Sequence, residues 1–134
     1  MTIDDAGWHY DTCSEHDLDD SCAATHIGMF FAWLAHHDLA APGRIDITAL
    51  RDRSMTPGAF LLARCGGEIS GFMLTPKGLA FSQAAYRAYL GAYRRIPEVA
   101  AYPVTYAAPD TWETYEAVAP VISEAYQEYS EQAT

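Results

Sequence analysis

The stretch from Cys22 to His37 places the strongest limit on the fold, because it is apolar on almost every side. Read at helical spacing, it carries one apolar stripe that begins at Ala23 and a second, adjacent stripe that includes Trp33. A helix without a polar face needs other elements around it. The sequence therefore predicts a helix at the centre of the domain, with Ser21 as its N-cap.

Repeated start signals predict the helices around this centre. Asp46 can cap a short helix that follows it directly. Threonine–proline pairs at 56–57 and 75–76 place an N-cap residue before a proline at the first helical position. The first pair predicts a short helix to Arg64, and the second predicts a long helix to about Arg95.

The last part of the chain has the pattern of another long helix. Asp110 and Glu113 have the spacing of a capping box, and Pro120 is expected to split the helix that they open. Residues 68–73 are consistent with a short extended piece. Residues 1–20 lack helical periodicity and predict an extended acidic arm.

These signals predict a mainly α protein, with one compact helical domain over residues 1–134. Its central apolar helix would be packed by two long and two short helices, and the arm would pack on the core. Trp8 and Tyr10 are expected to pin the arm, since both side chains are too large and apolar to be left in water.

Charge is divided sharply along the chain. Residues 1–38 hold eight carboxylates and no Lys or Arg, and residues from 98 onward hold seven carboxylates and again no base. All eight basic residues lie between 44 and 95, so the net charge of −10 divides as −8, +5 and −7. This pattern favours a basic protein partner and argues against binding to nucleic acid or to an anionic membrane.

Four stretches resemble a small, uncharacterised bacterial family of domains of unknown function. They are 4–9, 25–33 (THIGMF-x-AW), 78–93 and 110–115 (DTWE-x-Y). The resemblance implies no known reaction. Small acidic bacterial proteins of this kind are often immunity proteins for secreted toxins, and the chain is similar to them in size and charge. Residues 13–20 depart from the family pattern, because they are more acidic and lack an expected proline.

Histidines offer the clearest alternative chemistry. Cys22 and His26 are four residues apart on the central helix, so together with His9 they could supply metal ligands. The favoured interpretation is instead that His26 is a buried histidine, hydrogen-bonded to the arm at Asp4 or Asp5, because an imidazole inside an apolar helix needs a partner. No metal site is therefore predicted.

Catalytic and targeting patterns are lacking in the sequence. No serine or cysteine lies in a known nucleophile motif, and no cofactor is predicted. Cys22 could have a lowered pKa at a helix start, but an ordinary buried thiol is the favoured interpretation. The odd count of three cysteines, without a CxxC pair, predicts reduced thiols. With an acidic N-terminus and no long apolar run, the chain is expected to be cytoplasmic.

The function predicted from these observations is that of an acidic binding protein, an immunity protein that neutralises a basic bacterial toxin domain by occluding it. The alternatives are a metal-binding protein or enzyme that uses His9, Cys22 and His26, and an oligomeric scaffold. The residues predicted to contact the partner are Asp17, Asp19, Asp20, Glu124, Glu128 and Tyr129. The residues predicted to have structural roles are Asp4, Asp5, Trp8, His9, His26, Trp33 and Trp112.

Overall fold

Seven α-helices and two short strands make up residues 1–132, the part of the chain that the computed structural model describes. The helices are α1 Tyr10–Glu15, α2 Thr25–His36, α3 Thr48–Arg51, α4 Pro57–Arg64, α5 Pro76–Tyr93, α6 Pro97–Ala100 and α7 Trp112–Gln132. The strands are β1 Thr2–Asp5 and β2 Glu68–Ser70. Four 3-10 turns complete the elements, at Ala6–His9, Asp20–Ala24, Gly71–Met73 and Thr105–Ala107.

Helix α2 lies at the centre of the fold, and the predicted mainly α architecture is confirmed. Every residue from Thr25 to Ala35 is buried, with α4, α5 and α7 packed around the helix. Its start is later than predicted, because residues 20–24 form a 3-10 turn. The carboxylate of Asp19 accepts a hydrogen bond from the Ser21 amide at 2.9 Å, so Asp19 caps that turn and Ser21 is not the cap of α2.

The N-terminal residues do not form a plain extended arm, so that prediction is wrong beyond the first residues. Strand β1 pairs antiparallel with β2, and the chain then turns through Ala6–His9 into α1. Trp8 and Tyr10 do not pin this segment, because Trp8 is 65% exposed and Tyr10 is 38% exposed. Buried Asp4 and the backbone hydrogen bond from the Ala6 amide to the Gly67 carbonyl hold it in place.

Helix α7 differs from its prediction at its start and at its middle. Its first turn is capped by Thr111, whose Oγ1 accepts from the Thr114 amide at 3.1 Å, whereas the Asp110 carboxylate is used elsewhere. The helix runs unbroken through Pro120. Pro120 and Glu116, whose carbonyl loses its helical donor, are both exposed, so water can satisfy that carbonyl.

Two tryptophans join α7 to the rest of the core. Trp33 donates through Nε1 to Ser123 Oγ at 2.9 Å and lies fully buried in α2. Trp112 donates to the Met55 carbonyl at 3.1 Å and stacks on His36 with ring centroids 5.5 Å apart. Both residues therefore hold the terminal helix against elements from the first half of the chain.

Candidate functional site

The buried side chain of Asp4 is the centre of a polar cluster inside the apolar core. Its Oδ1 lies 2.8 Å from His9 Nε2 and accepts from the Asp5 amide at 2.8 Å. Its Oδ2 accepts from the Tyr86 hydroxyl at 2.6 Å and lies 3.3 Å from His26 Nε2. We call these groups, together with Tyr106, the Asp4 cluster.

The members of the Asp4 cluster come from five separate elements. Strand β1 supplies Asp4, the following 3-10 turn supplies His9, and the first turn of α2 supplies His26. Tyr86 comes from α5, and the Tyr106 hydroxyl reaches His9 Nδ1 at 2.6 Å. An ionised carboxylate can only accept, so a neutral His9 ring donates to Asp4 through Nε2 and accepts from Tyr106 at Nδ1.

The electrostatics of the cluster favour an ionised Asp4 and an uncharged His26. Burial by itself raises the pKa of Asp4, but contacts with His26, His9 and Tyr86 hold that pKa well below its usual range. Burial lowers the pKa of His26, despite the opposing effect of Asp4. Among residues 1–132, no Lys or Arg forms an ion pair with Asp4. A carboxylate beside an uncharged imidazole is therefore the form of the cluster at neutral pH.

Donor atoms of Asp4, His9 and His26 lie within 4.8 Å of one another, which makes them the group of described residues able to hold a metal ion. The alternative ligand set considered from the sequence was His9, Cys22 and His26. Its choice of Cys22 is wrong, because the third residue of the group is Asp4. Burial raises the pKa of the Cys22 thiol, which is the opposite direction from the lowered pKa considered from its position. Asp5 lies outside the cluster and accepts from the Gly7 amide at 2.8 Å.

Acid should weaken the fold in two stages when metal is removed with EDTA. Folding lowers the pKa of His26, so the unfolded chain takes up a proton at this residue more readily than the folded chain does. The contribution of His26 to the free energy of unfolding is therefore complete above about pH 6.5, the pKa of histidine in the unfolded chain, and is lost as the pH falls below that value. The lowered pKa of Asp4 adds a second loss below about pH 4. We expect the melting temperature to fall from pH 7 to 5 and again below pH 4.

Two variants check this expectation by thermal unfolding at each pH. His26→Gln should flatten the slope between pH 7 and 5, and His16→Gln, which changes an exposed histidine outside the cluster, should leave the slope unchanged. A wild-type melting temperature that does not change between pH 7 and 5 would contradict the assignment.

The carboxylates predicted to contact a partner lie in two places. Asp17, Asp19 and Asp20 are exposed between α1 and the turn before α2. Glu124 and Glu128 are exposed on α7, where they line a groove against α5. That these two sets share one surface stays a prediction.

The aromatic residue predicted to accompany Glu124 and Glu128 is less exposed than expected. Tyr129 is half-buried, and its ring packs on Phe81 with centroids 5.5 Å apart.

In the part of the chain that the structure describes, the five carboxylates predicted to contact a partner are not neutralised by arginines. They are Asp17, Asp19, Asp20, Glu124 and Glu128. Within residues 1–132 the ion pairs from arginine join Arg51 to Asp38 and Arg53 to Glu116. None of the five predicted contact carboxylates in that part of the chain is paired with a Lys or Arg. The exposed acidic segments therefore keep their negative potential.

The sequence interpretation missed two exposed aromatic side chains in the acidic N-terminal segment. Trp8 and Tyr10 are exposed, as are Asp11 and Glu15 in the same segment. The signal was present in the sequence, because both aromatics lie in a polar stretch with no apolar periodicity to bury them.

These observations define a mainly helical domain whose N-terminal strand is joined to the core by a buried Asp–His–His cluster. The chain belongs to a family described as a domain of unknown function, DUF7832, whose model matches residues 2–107. Three of the four resembling stretches lie within the match, and 110–115 lies beyond it with α7. No curated protein and no solved structure matched. No helix of residues 1–132 has the length and apolar character needed to cross a membrane.

Proposed function

We propose that this protein is an acidic binding protein that docks a basic protein partner, and that the partner is a bacterial toxin domain. In this proposal the protein acts in the cytoplasm as an immunity protein and neutralises the toxin by covering its surface. The observation that carries the proposal is Trp8, a tryptophan that is 65% exposed in a segment without Lys or Arg.

The surface around Trp8 has the chemistry of a docking site for a cationic protein. Large aromatic side chains that are exposed in the free protein and buried in a complex are the residues that most often dominate binding energy. We call this surface the acidic N-terminal face. Its exposed members are Trp8, Tyr10, Asp11, Glu15, Asp17, Asp19 and Asp20.

Packing gives the acidic N-terminal face a defined shape before any partner binds. The 3-10 turn at Ala6–His9, helix α1 and the 3-10 turn at Asp20–Ala24 contact one another. Each of the first two elements buries a residue of its own in the core, Ala6 from the turn and Cys13 from α1. A surface that is already ordered loses little conformational entropy when it docks, which favours affinity.

Charge adds rate and orientation to this contact. Unpaired carboxylates attract a basic partner over several ångströms and can raise the association rate by about one to three orders of magnitude at low salt. Glu124 and Glu128 on α7 contribute to the same negative field in this proposal, and the half-buried ring of Tyr129 lies on the same helix.

The gene neighbourhood supplies the partner for the test. A large secreted protein with a variable C-terminal domain, encoded beside this chain, would be the source of the toxin domain. Co-expression should restore growth of cells that express that domain, and the purified proteins should bind with an affinity that falls as salt is raised. Lack of rescue together with lack of binding would refute the immunity role.

Truncating the exposed tryptophan should remove much of that affinity. We expect Trp8→Ala to weaken binding by about 30-fold, since an aromatic anchor is worth about 2 kcal/mol or more. The melting temperature of the variant should hardly change, because most of the side chain lies in water. Isothermal titration calorimetry measures the first effect, and thermal unfolding measures the second.

Phe72→Ala is the matched control for this prediction. Phe72 is 54% exposed but lies in the basic middle of the chain, in a depression shared with Arg44 and Arg64. We expect its removal to leave affinity unchanged. Equal losses in the two variants would move the docking site away from the acidic N-terminal face. A further outcome is that the molecular mass in solution rises with protein concentration for the wild type but not for Trp8→Ala. That result would assign the acidic N-terminal face to self-association instead.

A further inference from the structure

The spacing of donor atoms in the Asp4 cluster matches the coordination sphere of a small divalent ion. Zinc bonds to imidazole nitrogen and carboxylate oxygen are about 2.0–2.2 Å long, so neighbouring tetrahedral ligands lie about 3.4 Å apart. In the Asp4 cluster the carboxylate oxygens lie 2.8 Å from His9 Nε2 and 3.3 Å from His26 Nε2. The Asp4–His26 separation is already close to this spacing, and an increase of about 0.6 Å between Asp4 and His9 would admit an ion between the three groups.

Outer contacts hold two of the three groups in orientation. The Tyr106 hydroxyl bonds His9 Nδ1 at 2.6 Å, and a hydroxyl can accept from that nitrogen when Nε2 binds a metal. The Tyr86 hydroxyl holds Asp4 at 2.6 Å. Such outer hydrogen bonds, which orient imidazole and carboxylate ligands, are a regular feature of metal centres.

His26 is the third member of the candidate site, and its ring is buried. Its side chain is 5% exposed, and Nδ1 has no hydrogen-bond partner among the described residues. Nε2 is the nitrogen that faces Asp4, so an ion in the Asp4 cluster would bind Nε2, and Nδ1 would be left for a buried water.

Charge favours a cation over any other occupant. The Asp4 carboxylate is buried without a Lys or Arg partner in residues 1–132, and a buried charge normally pairs with an opposite charge or coordinates a metal. Two imidazoles beside one carboxylate suit Zn²⁺ and similar transition ions, whereas Mg²⁺ and Ca²⁺ prefer oxygen ligands alone.

We infer that Asp4, His9 and His26 form a binding site for a divalent first-row transition-metal ion. The His9 side chain is 19% exposed, which gives the ion a route from solvent. Three protein ligands leave a fourth position for water or another small ligand. The inference does not depend on the proposed docking function, because its test needs no partner protein.

Zinc is the probe for the experiment. The full chain, without a polyhistidine tag, is stripped with EDTA, dialysed and titrated with Zn²⁺ by isothermal calorimetry. We expect one equivalent to bind and the melting temperature to rise, because an ion that binds the folded state stabilises it. Titration with Co²⁺ should give the ligand-field absorption of an ion held by nitrogen and oxygen.

Variants separate this site from adventitious binding. His9→Gln should lower zinc affinity at least ~10-fold, a loss typical of damage to a metal centre. His16→Gln, which changes an exposed histidine, is the matched control and should bind as the wild type does. Asp4→Asn keeps the shape of the side chain and removes its charge, so zinc binding should be lost. If that variant does not fold, the comparison of His9→Gln with His16→Gln still gives the answer.

Two results would overturn the inference. One is a wild-type protein that takes up no stoichiometric zinc and shows no thermal shift, which would leave the Asp4 cluster as a hydrogen-bonded link between strand β1 and the core. The other is equal zinc affinity in His9→Gln and the wild type, which would place the bound zinc elsewhere.

Discussion

Gly28→Ala is expected to destabilise the fold by about 3 kcal/mol, at the upper end of the cost of inserting a methyl group into a packed core. A Cβ at this position would lie 2.6 Å from the Pro57 carbonyl carbon and 2.7 Å from the Gly58 nitrogen. These are backbone atoms of α4, so they cannot move aside as the end of a side chain could. The two helices would have to separate, which opens the core between them.

The helical preference of alanine works in the opposite direction and provides the control. Alanine is favoured over glycine by about 1 kcal/mol inside a helix, so an alanine without a clash should stabilise. Gly91 in α5 is such a position, since a Cβ there would have no neighbouring atom within 4 Å. We expect Gly91→Ala to raise the free energy of unfolding in urea, while Gly28→Ala lowers it. A Gly28→Ala variant that is also stabilised would show that α2 and α4 are not in close contact.

Asp110→Ala should cost about 2–3 kcal/mol, more than the loss of an ordinary helix cap, because several donors lose a charged acceptor. The Asp110 carboxylate accepts from the Gly58 amide at 2.7 Å, the Ala59 amide at 3.1 Å and the Thr56 hydroxyl at 2.6 Å. It therefore caps α4 from a position 52 residues further along the chain. Urea unfolding measures the loss.

Asp46→Ala is the comparison that isolates the long-range part of this effect. Asp46 lies one residue before Ile47, the N-cap of α3, and its exposed carboxylate accepts from the Thr48 amide at 3.0 Å. We expect a loss of about 1 kcal/mol for that single local hydrogen bond. If Asp110→Ala and Asp46→Ala lower the free energy of unfolding by the same amount, the contacts of Asp110 with α4 add no stability beyond that of a local hydrogen bond. Asp110 would then not hold the segment before α7 against α4.

Local signals predicted the helices that begin with a threonine–proline pair. Thr56 and Thr75 each cap the helix that follows, with a proline at the first helical position, as the sequence pattern indicated. The all-round apolar character of α2 likewise indicated its central place, because no other arrangement removes so much apolar surface from water.

The predictions that failed depend on contacts between distant residues. Asp110 has the spacing of a capping box, but amide groups of α4 compete for its carboxylate, and Thr111 takes over the cap of α7. Nothing near Pro120 in the sequence shows that both it and Glu116 would face water, which allows α7 to continue.

Part of the candidate site could be predicted, since a histidine in an apolar helix requires a polar partner and the N-terminal segment offered carboxylates. That reasoning placed His26 beside Asp4 or Asp5, and in the structure the neighbour is Asp4. The hydroxyl of Tyr86 could not be foreseen, because 82 residues separate it from Asp4 and its own helix gives no sign of the contact. Cys22 has a suitable spacing from His26 in the sequence, but the fold brings the Asp4 carboxylate, and not the Cys22 thiol, together with His9 and His26.

Helix α7 has a consequence for how the chain is made on the ribosome. It contributes buried Tyr115, Val118 and Ile122 to the core, yet it follows every element against which it packs. Until it emerges, the apolar sides of α2 and α5 that it covers face water, and uncovered apolar surface of this kind favours misassembly. The nascent chain should therefore depend most on chaperones shortly before α7 is released.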